Sequence, residues 1–351
     1  MSKITDNENQ VKRSDAETDI RKRHDRVGCY LKKYLDDFVF VELSDAFLEK
    51  ADVKNLMKNI PIPLRKTDAE HFKDEQGVNT SLIAENMIWV VGIDPKFTYT
   101  EHYIAFLLKL YNQKIIEGIL MEGQNAAEKE DFDNACIHFR ACLCLKPDYL
   151  NGMYGYAMAC REMYLKGGTE DYVGNFKAES IDFFELLTEE HPEFAQGYYY
   201  LGFAYLNLGL YTKAEITWRQ FVDRATDSKD KNEIIERLQQ LEAPVKIEAG
   251  CNHILAGRYE EGIYKLEPYL NGQFKTWWPL SYYLGMAYSR TGELEKAVQC
   301  FKNVLTLHPS HIETMVELAA LYKEAGDQEN EQKYSKKIEL IRSQIYDGQL
   351  N

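Results

Sequence analysis

The chain has 351 residues, 45% of them hydrophobic, and its 42 Lys and Arg face 56 Asp and Glu for a formal charge of -14. That is enough apolar material for one long core or several ordinary ones, and the acid excess excludes a general attraction to a phosphate backbone. The excess is uneven: residues 1–115 carry 18 basic and 19 acidic side chains, residues 116–351 carry 24 and 37.

Residues 1–27 are polar and of alternating charge, too poor in apolar side chains to offset the entropy of ordering, which predicts a flexible tail. They hold no apolar run of the signal-peptide kind. The longest such run in the chain, Met87 to Ile93, is far short of the roughly 20 residues that span a bilayer. Seven cysteines without a CxxC pair fit a reducing compartment better than a disulfide framework. The expectation is a soluble cytoplasmic protein with no membrane attachment.

Residues 28–115 form a second region. YLKKYLDDFVFVEL is followed by SDAFLEKADVKNLMKNI, with Ser44 placed to cap a helix, and then by the break Pro61-Ile62-Pro63. Beyond a polar stretch, SLIAENMIWVVGI and YTEHYIAFLLKLY repeat their apolar residues at three- and four-residue steps, so the region is predicted to be small and mainly helical.

From about residue 116 the sequence repeats itself. YYYLGFAYLNLGLYTKAEITW (198–218) and SYYLGMAYSRTGELEKAVQCF (281–301) align feature by feature. Gly202 and Gly285 allow a close helix crossing, and Gly209 and Gly292 end a helix in the left-handed conformation. Ala214 and Ala297 fit the crossing from the other side, with Trp218 and Phe301 filling the core beside it. This register resembles the tetratricopeptide repeat, a 34-residue helix-turn-helix unit. The resemblance extends over six units: 116–149 (Gly123, Phe132, Ala135, Phe139, Pro147), 150–194 (about eleven extra residues around Gly167–Gly174, ending at Pro192), 195–228, 243–276 (Gly250, Gly257, Tyr259, with Gly262 in the Ala place), 278–311 (Pro309) and 312–345 (Tyr322, Gly326, Glu331). A charged helix-like segment, 229–242, precedes the fourth. The fold implied is an all-α solenoid of about six helix-turn-helix repeats over 116–345, with the small mainly helical N-terminal region before it. Glu331 in an Ala place suits a terminal unit, one face of which meets water.

In that family each first helix lines a concave surface, and residues at its fifth and ninth places point into the groove. Here the resemblance puts there Leu120 and Gln124, Tyr154 and Met158, Tyr199 and Phe203, Ile247 and Cys251, Tyr282 and Met286, Val316 and Ala320. Such an apolar row rich in Tyr and Met can grip an amphipathic helix or extended segment. The same side chains could instead pack on neighbouring repeats or lie under the N-terminal region. Members that clamp the acidic tails of heat-shock chaperones use Lys, Arg and Asn on this surface. Only Arg161, Asn207 and Arg290 are available here, which disfavours that use.

The chemistry-bearing motifs are few. His138 and Cys142 stand four residues apart, beside Cys136 and Cys144, a spacing that can chelate zinc, but no second ligand pair follows and Cys142 falls where the repeat takes a small core residue. His24-Asp25 has the letters of a metal-hydrolase motif without companions, and GxGxxG, GxxxxGK, GxSxG and HExxH are absent. Arg21, Lys22, Arg23 and Arg26 are interleaved with acids and read as a solvated segment. Trp277-Trp278 before Pro279 marks a helix entry, as core anchor or exposed patch. No catalytic residue, metal or cofactor is therefore expected. The function predicted is a non-enzymatic scaffold or adaptor that binds a protein or peptide in the groove, with self-association left open and no nucleic acid or membrane partner. The alternative is a peptide-sensing transcriptional regulator with a cryptic DNA-binding domain in the N-terminal region, although no pair of short helices with a basic recognition face stands out there. An enzyme seated in 28–115 has no supporting motif.

Overall fold

A computed structural model describes residues 18–69 and 80–349. It is an all-α solenoid with a minor β element. The described residues divide into two compact units, one running to Ala204 and including Asp223–Ala225, the other formed by Tyr205–Val222 and the residues from Thr226 onward.

The first unit begins with a segment that its polar composition assigns to the tail. Residues 18–27 are folded: Asp19, Ile20 and Val27 are buried. What holds them lies far along the chain. Beyond them come a short helix, Gly28–Leu31, and an antiparallel ribbon of β1 (Phe38–Val41) and β2 (Ile62–Arg65), with Val39 opposite Leu64 and Phe40 opposite Pro63. The ribbon was not foreseen; a proline is tolerated there because each strand of a two-stranded ribbon is an edge. Between the strands Ser44 does cap the helix Asp45–Lys50, its hydroxyl accepting from the Phe47 N–H at 3.3 Å.

Helices α1 (Thr80–Ile93) and α2 (Thr100–Tyr111) follow, then the first repeat pair, α3 (Lys114–Glu128) and α4 (Phe132–Leu145), and the second, α5 (Leu150–Leu165) and α6 (Glu170–Glu190). The extra residues of the second repeat do not form a long loop. After a turn through Gly167 and Gly168 they lengthen α6 to 21 residues. The chain goes on to α7 (Ala195–Asn207) and α8 (Tyr211–Arg224).

In the second unit, α9 (Ser228–Leu255) is one helix of 28 residues with Pro244 inside it, so the charged segment and the first helix of the fourth repeat are continuous and no boundary falls at 243. The i, i+4 pair Glu233–Arg237 supports it before the proline and Glu242–Lys246 spans the proline itself. Then come α10 (Tyr259–Leu266), α11 (Trp278–Thr291), α12 (Leu294–Leu307), α13 (Ile312–Glu324) and α14 (Gln328–Gln349), each packed on the next. The signature residues act as read. A Cβ on Gly285 would stand 2.7 Å from the Phe301 ring, so only glycine allows this crossing, and Gly292 (φ +83°) closes α11 in the left-handed region. Ala297 and Phe301 are wholly buried opposite them.

The centre of the first unit is Arg140, midway along α4 and with no exposed surface. Its Nη1 and Nη2 donate to the two carboxylate oxygens of Asp25 at 2.9 and 2.7 Å, and its Nε donates to the Gly92 carbonyl at 2.8 Å. Tyr156 beside it donates to Glu179 at 3.1 Å, and Arg26 reaches Glu179 and Asp182 at 3.4 and 2.5 Å. Tyr30 packs on Tyr172 and Phe176, with ring centres 5.0 and 5.6 Å apart, and its hydroxyl accepts from Asn175 at 3.1 Å. The lengthened α6 thus carries the seat of the N-terminal segment. His24-Asp25, which the sequence suggested only as stray letters, supplies the counter-charge of the buried guanidinium.

Burial alone would raise the Asp25 carboxyl, but the Arg140 hydrogen bonds and charge, with the N–H groups of Gly28 and Val27, outweigh it and hold the group below the usual carboxylate range. Removing one partner of a buried pair strands the other's charge, so Asp25→Ala should lower unfolding stability by about 3 kcal/mol. Adding Arg140→Met should restore part of that loss. Because the folded pKa is depressed, the Asp25 contribution is complete above its unfolded pKa, about 3.9, and disappears as pH falls through the folded value. Urea titrations of wild type and Asp25→Asn should therefore differ at pH 7 and converge in strong acid.

Candidate partner-binding surface

The groove residues expected from the repeat register fall into two groups, one in each unit. In the first, Tyr154 and Met158 on α5 and Tyr199 and Phe203 on α7 are half-buried. Their rings meet through neighbours that the register did not single out: Tyr154 lies 5.3 Å from Phe194 and 6.2 Å from Tyr200, and Tyr199 lies 5.1 Å from Tyr200 and 5.0 Å from Phe203. The Arg161 guanidinium sits 5.4 Å over the Tyr200 ring, a cation–π contact that ties down the one cation of this row. Burial, followed by the charge and hydrogen bond of Tyr200, raises the Tyr154 phenol, which stays protonated at neutral pH.

Leu120 does not belong to this surface. It is 8% exposed, turned into the contact between α3 and its neighbours.

In the second unit, Tyr282 and Met286 on α11 are half-buried, and Val316 on α13 is 44% exposed. Ile247 departs from expectation. It is completely buried in the core with Leu266, Leu280 and Leu284, and Cys251 one turn on is buried too. Ile247 is covered because α9 packs on both α10 and α11, which bring Leu266, Leu280 and Leu284 over it. Tyr282 instead joins an aromatic group that a register confined to first helices could not have found. Its ring stands 5.1 Å from His311 and 6.5 Å from Trp278, and Trp278 stands 4.5 Å from His311 and 5.4 Å from His308. Trp278 is accordingly neither fully core nor free surface. Burial lowers the His311 imidazole, which Glu313 raises and His308 lowers further, so the ring is neutral at pH 7. Glu313 and Glu317 act electrostatically on Tyr282, and the exposed border of this group is acidic.

Another hollow, of about 490 Å³, opens in the first unit between α1, α3 and α4. Arg65 lies 4.3 Å over the Trp89 ring there, and Trp89 meets His138 edge-on at 5.5 Å. His138 Nδ1 is 3.0 Å from the Asn134 carbonyl and burial lowers its pKa, against the raising effects of Asn134, Glu122 and Glu85. The sequence cluster of His138 with Cys136, Cys142 and Cys144 is not assembled: Cys142 and Cys144 direct their sulfurs to the carbonyls of Ile116 and Val91, each at 3.9 Å. Burial pushes both thiols up to about 12. Among the described residues no helix is long and apolar enough to cross a membrane.

Comparison with known proteins bears on the repeats directly. Models of the tetratricopeptide repeat match residues 196–228 and 279–311, within a residue of the third and fifth units. No curated protein matches the sequence. Similar solved structures include the tetratricopeptide domain of P58(IPK), at 13% identity over 87% of this chain and 88% of that one, TM-score 0.43. A thermophilic tetratricopeptide protein of Thermus thermophilus is 13% identical over 68% and 98%, TM-score 0.31. YrrB, a tetratricopeptide protein with an unusual peptide-binding site, is 13% identical over 58% and 92%, TM-score 0.30.

Buried and exposed members of the second unit's row separate in a stability measurement. Ile247→Ala should cost about 2–4 kcal/mol, the range of a large-to-small change in a packed core, whereas Val316→Ser should stay within about 0.5 kcal/mol. Chemical denaturation of the two variants checks both.

Proposed function

We propose that this chain, a tetratricopeptide repeat protein, is a non-enzymatic adaptor whose repeats, residues 116–345, hold an apolar segment of a partner protein against their first helices. The observation that supports this reading is the contrast between helix faces. In the first unit, the second helices α4 and α6 bury their surface under the N-terminal segment and α1, while the first helices α5 and α7 keep Tyr154, Met158, Tyr199 and Phe203 half-exposed in one aromatic row. Aromatic side chains with two rotatable bonds give large contact area for little ordering entropy, which is what partner-binding surfaces select. The chain's formal charge of -14 favours a partner segment with basic flanks. Cytoplasmic location is part of the same reading, on the free cysteines.

A DNA-reading N-terminal domain finds less support. A recognition helix must present basic residues to solvent, yet α1 has Glu85 as its single charged residue and is buried along most of Ile83–Ile93, and α2 offers Lys109 as its only Lys or Arg.

The double variant Tyr199→Ala, Phe203→Ala decides for or against the adaptor reading. Affinity capture identifies the partner with the wild-type chain. The variant should then bind it about 2 kcal/mol more weakly, the scale of aromatic hot spots, while its melting temperature falls by only a few degrees. Binding should also weaken as salt is raised from about 0.05 to 0.5 M. A collapsed melting temperature would assign the two rings to the core, and undiminished binding by a folded variant would remove the row from the interface; either result overturns the proposal.

A further inference from the structure

Three sulfur atoms meet inside the first unit where α4 packs on α5. The Cys136 thiol lies 3.9 Å from the Cys160 sulfur and 3.3 Å from the Met163 thioether. Cys160 and Met163 are three residues apart on α5 and so share a face. Cys136 and Cys160 have no exposed surface and Met163 has 3%. The close group of cysteines visible in the sequence had pointed elsewhere, to His138 and Cys142. The fold gives those two separate partners, the Asn134 and Ile116 carbonyls, and brings Cys136 to residues 24 and 27 positions downstream.

We propose that Cys136, Cys160 and Met163 form a binding site for a soft monovalent metal ion, Cu(I). Metal–sulfur bonds of about 2.3 Å in a planar three-coordinate site place the sulfurs about 4 Å apart, and the Cys136–Cys160 separation already has that value. The Met163 sulfur, 3.3 Å from that of Cys136, need retreat by only about 0.7 Å, well within the reach of an unbranched side chain with three rotatable bonds. Donor chemistry selects the ion: two thiols and a thioether in a water-free interior suit Cu(I), whereas zinc requires four ligands and takes N, O or thiolate S. Among the described residues no group of three or more His, Cys, Asp or Glu is placed to hold a harder ion. Binding replaces both thiol protons, which pass to solvent, and leaves one net negative charge on the site. Burial opposes thiolate formation at Cys160, as do Cys136 and Glu179, but the fully buried Arg140 cation acts on the same sulfur in the opposite sense.

The test is an anaerobic titration of the reduced full-length chain with Cu(I), in competition with a chromophoric Cu(I) chelator. One ion per chain should be retained, with release of two protons and a sulfur-to-copper charge-transfer band in the near ultraviolet. Cys136→Ala and Cys160→Ala should each weaken binding about 100-fold, and Met163→Leu about tenfold; Cys29→Ala, at the exposed cysteine, and Cys142→Ala should leave affinity unchanged. Met163→Leu conserves volume, so it remains informative should either cysteine variant fail to fold. Failure of wild type to hold Cu(I) against the chelator would overturn the proposal. So would an affinity unaltered by Met163→Leu, binding lost with Cys29→Ala, or formation of a Cys136–Cys160 disulfide in place of metal uptake.

Discussion

A guanidinium cannot shed its charge by shifting protonation, so once Arg140 is placed in the centre of a helix packed on both sides it must find a carboxylate. In this molecule the carboxylate comes from Asp25, 115 positions earlier. The rest of the first unit follows from that constraint. Asp25 can reach Arg140 only if residues 19–31 lie across the second helices of the first two repeats. Those residues are held there by Arg26 on Glu179 and Asp182 and by Tyr30 on Tyr172 and Phe176. All four of these anchors, Tyr172, Phe176, Glu179 and Asp182, lie in the first two-thirds of α6, the helix that the extra residues of the second repeat have lengthened. The departure from the regular repeat is therefore the part of the repeat array that receives the N-terminus.

That arrangement divides labour between helix faces. A repeat of two helices has two surfaces to satisfy, and in an uncapped array both meet solvent. Here the second-helix surface of the first two repeats is occupied from within the chain. The aromatic side chains of the first helices are left half-exposed, tied to one another by ring contacts of 5 to 6 Å. A row of rings held by neighbouring rings is pre-organised, and a pre-organised surface loses less entropy when a partner is added.

The repeat architecture was legible in the sequence because its determinants are local. Gly285, Gly292, Ala297 and Phe301 each answer a steric demand set within one helix pair, so their spacing alone carries the information. Ser44 was legible as a cap for the same reason. The N-terminal segment was not, because nothing within about thirty residues of Asp25 reveals the buried cation it serves, and polar composition in that window resembles a solvated tail. Ile247 was misplaced because the register gives the place of a residue on its own helix and not what the neighbouring helices lay over it; here Leu266, Leu280 and Leu284 cover it. Of the aromatic groups, the first-helix members were legible from the register. Trp278 was legible as a helix entry but not as a partner of Tyr282, and Tyr200, Phe194 and His311 were not, because they reach the same rings from other places on the first helices or from the turns between helices. Cys136 and Cys160 come from different repeats, and proximity in sequence singled out the wrong partners.

The separation between Asp25 and Arg140 also fixes an order of events during synthesis. Repeats of this kind close through contacts within about 34 residues, so each helix pair can form soon after it leaves the ribosome. The segment around Arg26 emerges before the helices it packs on, and Glu179 and Asp182, its last anchors, are made 153 and 156 residues after Arg26. At a synthesis rate of about 5–20 residues per second, the segment waits on the order of ten seconds or more for its seat. Until α6 is made, Tyr30 lacks the rings of Tyr172 and Phe176 on which it packs and is open to any chaperone that recognises exposed aromatic side chains. Docking of the segment around Asp25, made well before the helices that seat it, thus marks the first unit as complete.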